Sequence, residues 1–344
     1  MSTISTIGTS AFDQARLRIR LEELTRQVST GQKGPTFGAL GTEAKRGIDL
    51  RGDIARREAY LAAADAALGR MGAVQSVLSR LQDIAGSVAA EASRARTLGT
   101  TGVDALGQTA RGALEEVAAL LNTQSGGEYL FAGSDIASAP VPNAAAVATG
   151  PFAAAVATQV GSLTPLNAAT VLANTAGIAT VTSPFNAFLE GAGLTEPRRA
   201  LQAADGERIA WGVIPTQDSG GNVATSWARE LMRGLATLAA VTTATALQGQ
   251  GYDDLLAGVA QGLTDAARGA ASEQGALGAA EKRLQDLQER HRDMLGVMRA
   301  QVISVEQVDL ADASASLKAL QLRLEASYET TSGVARLSLA ALLR

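Results

Sequence analysis

Leu17, Leu21, Leu24 and Val28 fall at spacings of four, three and four. That period draws one narrow apolar seam along a helix, as in a coiled coil. A matching seam runs near the other end of the chain, through Ile303, Leu310, Ala313, Leu317, Leu320, Leu324, Thr331 and Val334. Both ends therefore read as helices with a single apolar edge. Ordering every residue of such a helix costs more than the burial of one side chain in three or four returns. We expect residues 1–30 and 305–344 to become helical only when several neighbours cover them, that is, when copies assemble. The expected assembly interface is Leu17, Leu21, Leu24, Val28, Leu310, Leu317, Leu320, Leu324 and Val334.

The first ten residues, MSTISTIGTS, are small and polar, and Ser10 suits an N-cap. Ser29-Thr30-Gly31 ends the first helix, with glycine where a left-handed cap needs one. Residues 31–42 hold glycines and Pro35 and read as a loop. A long helix is predicted from about Thr42 to Thr97. Its apolar positions are Leu50, Ile54, Leu61, Ala64, Leu68, Met71, Val74, Leu78, Leu81, Ala85 and Val88, with Arg57 interrupting them. Two successive threes at 68, 71 and 74 read as a stammer. After a break at 98–102, Val103, Leu106, Ala110, Leu114, Val117 and Leu121 form the buried face of a further helix.

The chain then changes character. In Gly126-Gly127-Glu128-Tyr129-Leu130-Phe131-Ala132-Gly133, two of the few aromatic residues alternate with Leu130. In a strand Tyr129 and Phe131 share one face, so they read as the anchor of a hairpin leaving the helices. The 54 residues from Ile136 to Leu189 contain no charge and several prolines. They read as short strands and loops of an outer region, with a returning strand at 207–213 and a turn at 218–222. Helix resumes near Thr225, where Trp227, Leu231, Leu235 and Leu238 step along one face, and a second long helix spans 255–305. The expected fold is mainly α: a long antiparallel helical bundle or coiled coil of paired N- and C-terminal segments, with a β-rich central insertion. Its parts are an N-terminal arm at 1–41, half of the helical core at 42–125, hairpin and variable outer domain at 126–222, the second half-core at 223–304, and a C-terminal arm at 305–344.

Composition argues against chemistry. Aromatics make up 3% of the chain, which suits thin helix-on-helix packing rather than a thick core. Net charge is −4 with both signs interspersed, so no basic stripe for nucleic acid is visible. Cysteine is absent, which excludes a disulfide or thiolate–metal framework. No run of 18 apolar residues points to a membrane span, and the N-terminus lacks the pattern of a cleaved signal peptide. His291, the only histidine, lies in a charged helical stretch and reads as a surface residue. Glu22-Glu23, Glu115-Glu116 and Asp253-Asp254 read as solvated charges. No P-loop, G-x-S-x-G elbow, cofactor site or metal site is expected, and the protein is not expected to be an enzyme.

Several motifs together resemble one family. They are Ser29-Thr30-Gly31-Gln32-Lys33, Leu81-Gln82-Asp83-Ile84-Ala85, the Gly127–Gly133 stretch, Val308-Asp309-Leu310-Ala311-Asp312-Ala313, Leu324-Glu325-Ala326-Ser327-Tyr328 and the closing LSLAALL. The chain resembles bacterial flagellins and, more closely, the hook-filament junction proteins known as hook-associated protein 3. The closing LLR is similar to filament flagellin. The resemblance implies a structural role in the extracellular flagellum, with self-assembly among flagellin and other axial proteins. It also implies export by the flagellar secretion apparatus without a cleaved signal, aided by a secretion chaperone. A secreted, non-polymerising helical adhesin is the more distant alternative.

Overall fold

The 4,3 period of the first half builds α2 (Ala44–Leu98), 55 residues long. It was traced in a computed structural model that describes residues 2–218 and 226–342, the side chains of 2–11, 13, 39, 331 and 334–342 excepted. Most of the turn expected at 218–222, and the helix start near Thr225, lie outside the described residues. A row of buried positions runs along α2 through Ala64, Ala67, Met71, Val74, Leu78, Leu81, Ala85, Val88, Ala92 and Ala95, with Val77, Ile84 and Ala89 buried beside it. Threes and fours alternate without fault, so no stammer occurs. The expected seam placed Leu68 where Ala67 belongs, because leucine outweighs alanine in hydrophobicity. Leu68 is only partly buried against the core.

The chain divides into two units, residues 60–289 and residues 1–59 with 290–344. In the first, α3 (Val103–Leu121) buries every residue of its expected face. α8 (Gln250–Glu306) runs antiparallel to α2 there, joined by Gln82 Nε2 to Gln274 Oε1 at 3.0 Å and Gln288 Nε2 to Asp65 Oδ1 at 2.7 Å. α6 (Trp227–Ala239) departs from the one-faced helix expected. All but one of its 13 residues are buried, because α3, α4 (Pro151–Gly161) and α5 (Ala168–Val181) pack on it and α8 crosses it closely. A Cβ at Gly269 of α8 would lie 2.6 Å from Trp227 Cβ, so only glycine fits that approach.

Among the described residues, charge enters this core in pairs. Arg229 of α6 meets Glu190 at 2.6 Å, and Arg233 bonds Glu230 at 2.9 Å and the Thr175 hydroxyl at 3.1 Å. Glu273 of α8 is wholly buried and takes two bonds from Arg198, at 2.6 and 2.8 Å. The same guanidinium donates to the carbonyls of Gly212 and Asp218, so the pair is tied on both sides.

The β-rich insertion is corrected: between Ile136 and Leu189 the regular structure is helical, α4 and α5, with a 3-10 turn at Ala144–Ala146. Pro151 does not interrupt a run but opens α4, at the first turn where its missing N–H costs nothing. Mixed alanine, valine and threonine without a period cannot separate a buried strand from a helix. Ala144–Gly161 is apolar enough in composition to cross a membrane. It is, however, a 3-10 turn followed by an 11-residue helix, about 16 Å long against a hydrocarbon core of about 30 Å. The strand expected at 207–213 is β4 (Glu207–Ala210), paired with β3 (Ala200–Ala204). Asp205-Gly206 joins them, with Gly206 at φ 75°, a hairpin signal that the sequence reading passed over.

In the other unit the start of α2 and the end of α8 are antiparallel. Arg51 forks onto Glu306 with two bonds of 2.8 Å, and Arg299 meets Glu58 at 2.7 Å. His291 is not on the surface. Its ring is 6% exposed, with Nδ1 3.1 Å from Arg57 Nη1. A guanidinium has no acceptor, so Nδ1 accepts this bond. Arg57, the odd member of the seam, is thus the reason histidine is tolerated inside.

The tight approach of α8 to the α4–α5 link makes a stability prediction. A Cβ at Gly251 would sit 2.1 Å from the Thr164 carbonyl oxygen, whereas one at Gly112, on the exposed side of α3, meets nothing. Gly251→Ala should lose about 1–3 kcal/mol in urea unfolding, and Gly112→Ala should gain up to about 1. Equal effects from the two would contradict the packing described.

Candidate assembly interface

α1 (Ser2–Thr30) begins at Ser2 rather than near Ser10; its one early glycine, Gly8, weakens a helix without ending it. α9 (Leu310–Leu342) is its partner, antiparallel within the single chain. Both arms are thus helical and paired in one copy, whereas helix formation only on assembly was expected. Glycine ends α1 as expected: Gly31 has φ 70° and donates to the Gln27 carbonyl at 2.8 Å.

A short backbone ladder sets the register of the arms. Lys33 N–H donates to the Glu306 carbonyl at 2.9 Å, and Val308 N–H to the Gly31 carbonyl at 3.0 Å, around the antiparallel bridge of Gln32 and Gln307. Asp309 then caps α9, its carboxylate accepting from the Ala311 and Asp312 amides at 2.9 and 3.3 Å. Farther out, Gln14 Nε2 meets Ser327 Oγ at 3.3 Å. Arg18 Nε donates to the Tyr328 hydroxyl at 2.9 Å, its guanidinium 5.8 Å from the ring centre. Sequence reasoning followed the leucines and passed over these polar links; a tyrosine on an alanine-rich helix was the available signal.

Of the nine residues assigned to the interface, Leu24, Leu320 and Leu324 are buried in the single chain, and Leu17, Leu21, Val28 and Leu317 are half-buried. Leu310, at the first turn of α9, is 51% exposed. The side chain of Val334 lies outside the described residues. Phe12, Ile19 and Leu322 face solvent, so the pairing of α1 and α9 covers one side of each helix only.

The two hairpin residues have different surroundings. Gly126 and Gly127, at φ 62° and 82°, are the turn itself, joining β1 (Gln124–Ser125) to β2 (Glu128–Tyr129). Regular pairing stops at Tyr129, so Phe131 does not share a strand face with it. Phe131 is fully buried in the core, and Tyr129 is half-buried. Asn122 fixes the segment through its side chain, bonding both the carbonyl and the amide of Val141 at 2.8 and 2.9 Å. Glu128 bonds Arg199 at 2.6 Å and lies 3.1 Å from Arg70 of α2. The hydrogen bond from Arg199 holds the Glu128 carboxyl below the usual range, with both positive charges adding to the effect.

Among the described residues, no group of three or more His, Cys, Asp or Glu side chains is placed to hold a metal ion. What the arms present is instead a pair of one-sided helices with a fixed register. Residues 260–343 match the bacterial flagellin C-terminal helical region. The match covers most of α8 and the length of α9 through Leu342, which includes the ladder at Glu306–Val308 and the C-terminal half of the α1–α9 pair. It supports the bacterial flagellin family, whose proteins are structural. Comparison with curated proteins gives no match.

The hairpin has a pH signature. Because the folded pKa of Glu128 lies below its unfolded value, its ion pairs contribute above the ordinary carboxylate range and are lost as pH falls through the folded value. From about pH 5 to about pH 3, the Tyr129 and Leu130 amides, bonded to the Ile136 and Thr123 carbonyls, should lose protection after correction for intrinsic exchange. Glu128→Gln should flatten that dependence; an unchanged profile in the variant would assign the acid response elsewhere.

Proposed function

We propose that this protein is a structural axial subunit of the bacterial flagellum that polymerises through its terminal helices. One observation carries the reading: the region matching flagellin includes the C-terminal arm, and that arm pairs with α1 while leaving apolar side chains of both helices in solvent. Such exposed apolar surface is what an assembling subunit covers with neighbours. Partners are further copies of the chain and other axial proteins, hook-associated proteins and flagellin among them. Delivery is by the flagellar export apparatus with a secretion chaperone, and the place of action is outside the cell.

Within that role we favour the hook-filament junction. Its support is the Gly127–Gly133 stretch, which resembles the junction proteins and here pins a hairpin to the core through Phe131. The filament subunit is the second reading, favoured by the match to flagellin's own C-terminal region. Copy number per flagellum separates them: a single ring's worth for a junction, the bulk of the fibre for a filament subunit.

The test is seeded growth. Purified protein added to short filament seeds should add to their ends, seen by electron microscopy. Leu17→Asp or Leu320→Asp should abolish incorporation, because a charge replaces a side chain in the seam of the pair. Circular dichroism should still show the helices of residues 60–289, which form their own core. Normal incorporation of either variant would refute assembly through the arms.

A further inference from the structure

The sequence holds a single Asp-Gly step, Asp205-Gly206, and no Asn-Gly step. It forms the tip of the β3–β4 hairpin, and both residues are exposed. A backbone nitrogen can attack the side-chain carboxyl carbon of a preceding aspartate without any catalyst. Glycine favours that attack, because it has no side chain to shield its nitrogen and lets the chain bend freely. Within a helix the hydrogen-bonded backbone holds the two atoms apart. Asp53, Asp83 and Asp286 are so held in α2 and α8, and each precedes a bulky residue, Ile54, Ile84 or Leu287.

The hairpin tip has the room that such a reaction needs. A Cβ at Gly206 would meet nothing within 4 Å, so a ring and the water that opens it both have space. Strand pairing is already irregular beside the turn, between Gln202 and Ala204. The tip is moored at two points. The Tyr60 hydroxyl of α2 donates to Asp205 Oδ1 at 2.7 Å, and Arg283 of α8 meets Glu207 at 3.0 Å. The Asp205 carboxyl must therefore leave Tyr60 before its carbon can turn onto the Gly206 nitrogen.

We propose that Asp205-Gly206 is a site of spontaneous aspartyl isomerisation and that Tyr60 restrains it. A bond forms between Asp205 Cγ and the Gly206 nitrogen, and the carboxyl hydroxyl leaves with the amide hydrogen as water. Water then adds to one of the two carbonyls of the five-membered ring. Opening at Cγ leaves the chain linked through the main-chain carbonyl and restores aspartate. Opening at the main-chain carbonyl leaves the chain linked through Cγ, one carbon longer, with its carboxylate now on Cα. One water leaves and one returns, so neither oxidant nor reductant is needed. The isomer holds its carboxylate closer to the backbone and out of hydrogen-bond reach of Tyr60. The hairpin then keeps Arg283 as a mooring and loses the one on α2. Because the reaction runs in any folded copy, the altered fraction rises with the age of the molecule.

Storage of the purified full chain at neutral pH, followed by peptide mapping, tests both parts. Trypsin releases residues 200–208 as one peptide. With storage time that peptide should split into two forms of equal mass, the new one resistant to an aspartate-specific protease, and the other aspartates should convert more slowly. Tyr60→Phe should speed the conversion about twofold to tenfold, the worth of one hydrogen bond. Asp205→Asn reaches the same ring by losing ammonia instead of water and should yield the same isomer. A 200–208 peptide that stays single in the unaltered chain, or an Asp205→Asn chain that forms no isomer, overturns the site. An unaltered rate in Tyr60→Phe overturns the restraint.

Discussion

Two backbone hydrogen bonds set the geometry of the arms. With Lys33 bonded to Glu306 and Val308 bonded to Gly31, the first helix and the last leave a common point in antiparallel register. Every side-chain link along the pair, from Gln14 with Ser327 to Arg18 with Tyr328, follows from that start. Gly31 makes the ladder possible, because the chain must leave α1 through a left-handed turn that other residues resist. Arg51, forked onto Glu306 and lying over the Phe37 ring, braces the same junction from α2.

The larger unit meets a different constraint. Its core is built from alanine, valine and leucine with few rings, so close approach of helices replaces bulk. Glycines at 234 and 269 let α6 and α8 touch where any side chain would collide. The charges that this compact packing encloses are matched within the core: Glu273 by Arg198, Arg229 by Glu190. Removing one partner of such a buried pair strands the other, so these pairs specify the packing more than they add to its stability.

Periodicity made much of this legible. The long helices, α3 and the glycine cap at Gly31 were all readable from spacing, because a 4,3 repeat over many turns has one meaning. Three features were not. The uncharged insertion has no period, so its helices α4 and α5 could not be told from strands, and Pro151 marked a helix start instead of an interruption. Ala67 was passed over for Leu68 because a close-packed seam favours size over hydrophobicity. His291 looked exposed among its charged neighbours; its partner Arg57 stands more than two hundred positions earlier in the chain. Of the interface, the apolar edges were readable, and the polar links that pin their register were not, since single residues carry no period.

The division of the chain also orders events in time. Residues 60–289 are contiguous and hold one complete core, so that unit can close without the segments that flank it in the chain. α1 precedes that unit in the chain, whereas its complement α9 follows it. Bringing them together closes a loop that holds all of residues 31–309, and the entropic cost of such closure grows with length. α1 is therefore made before residues 60–289 and must wait until α9 has been added to find its mate.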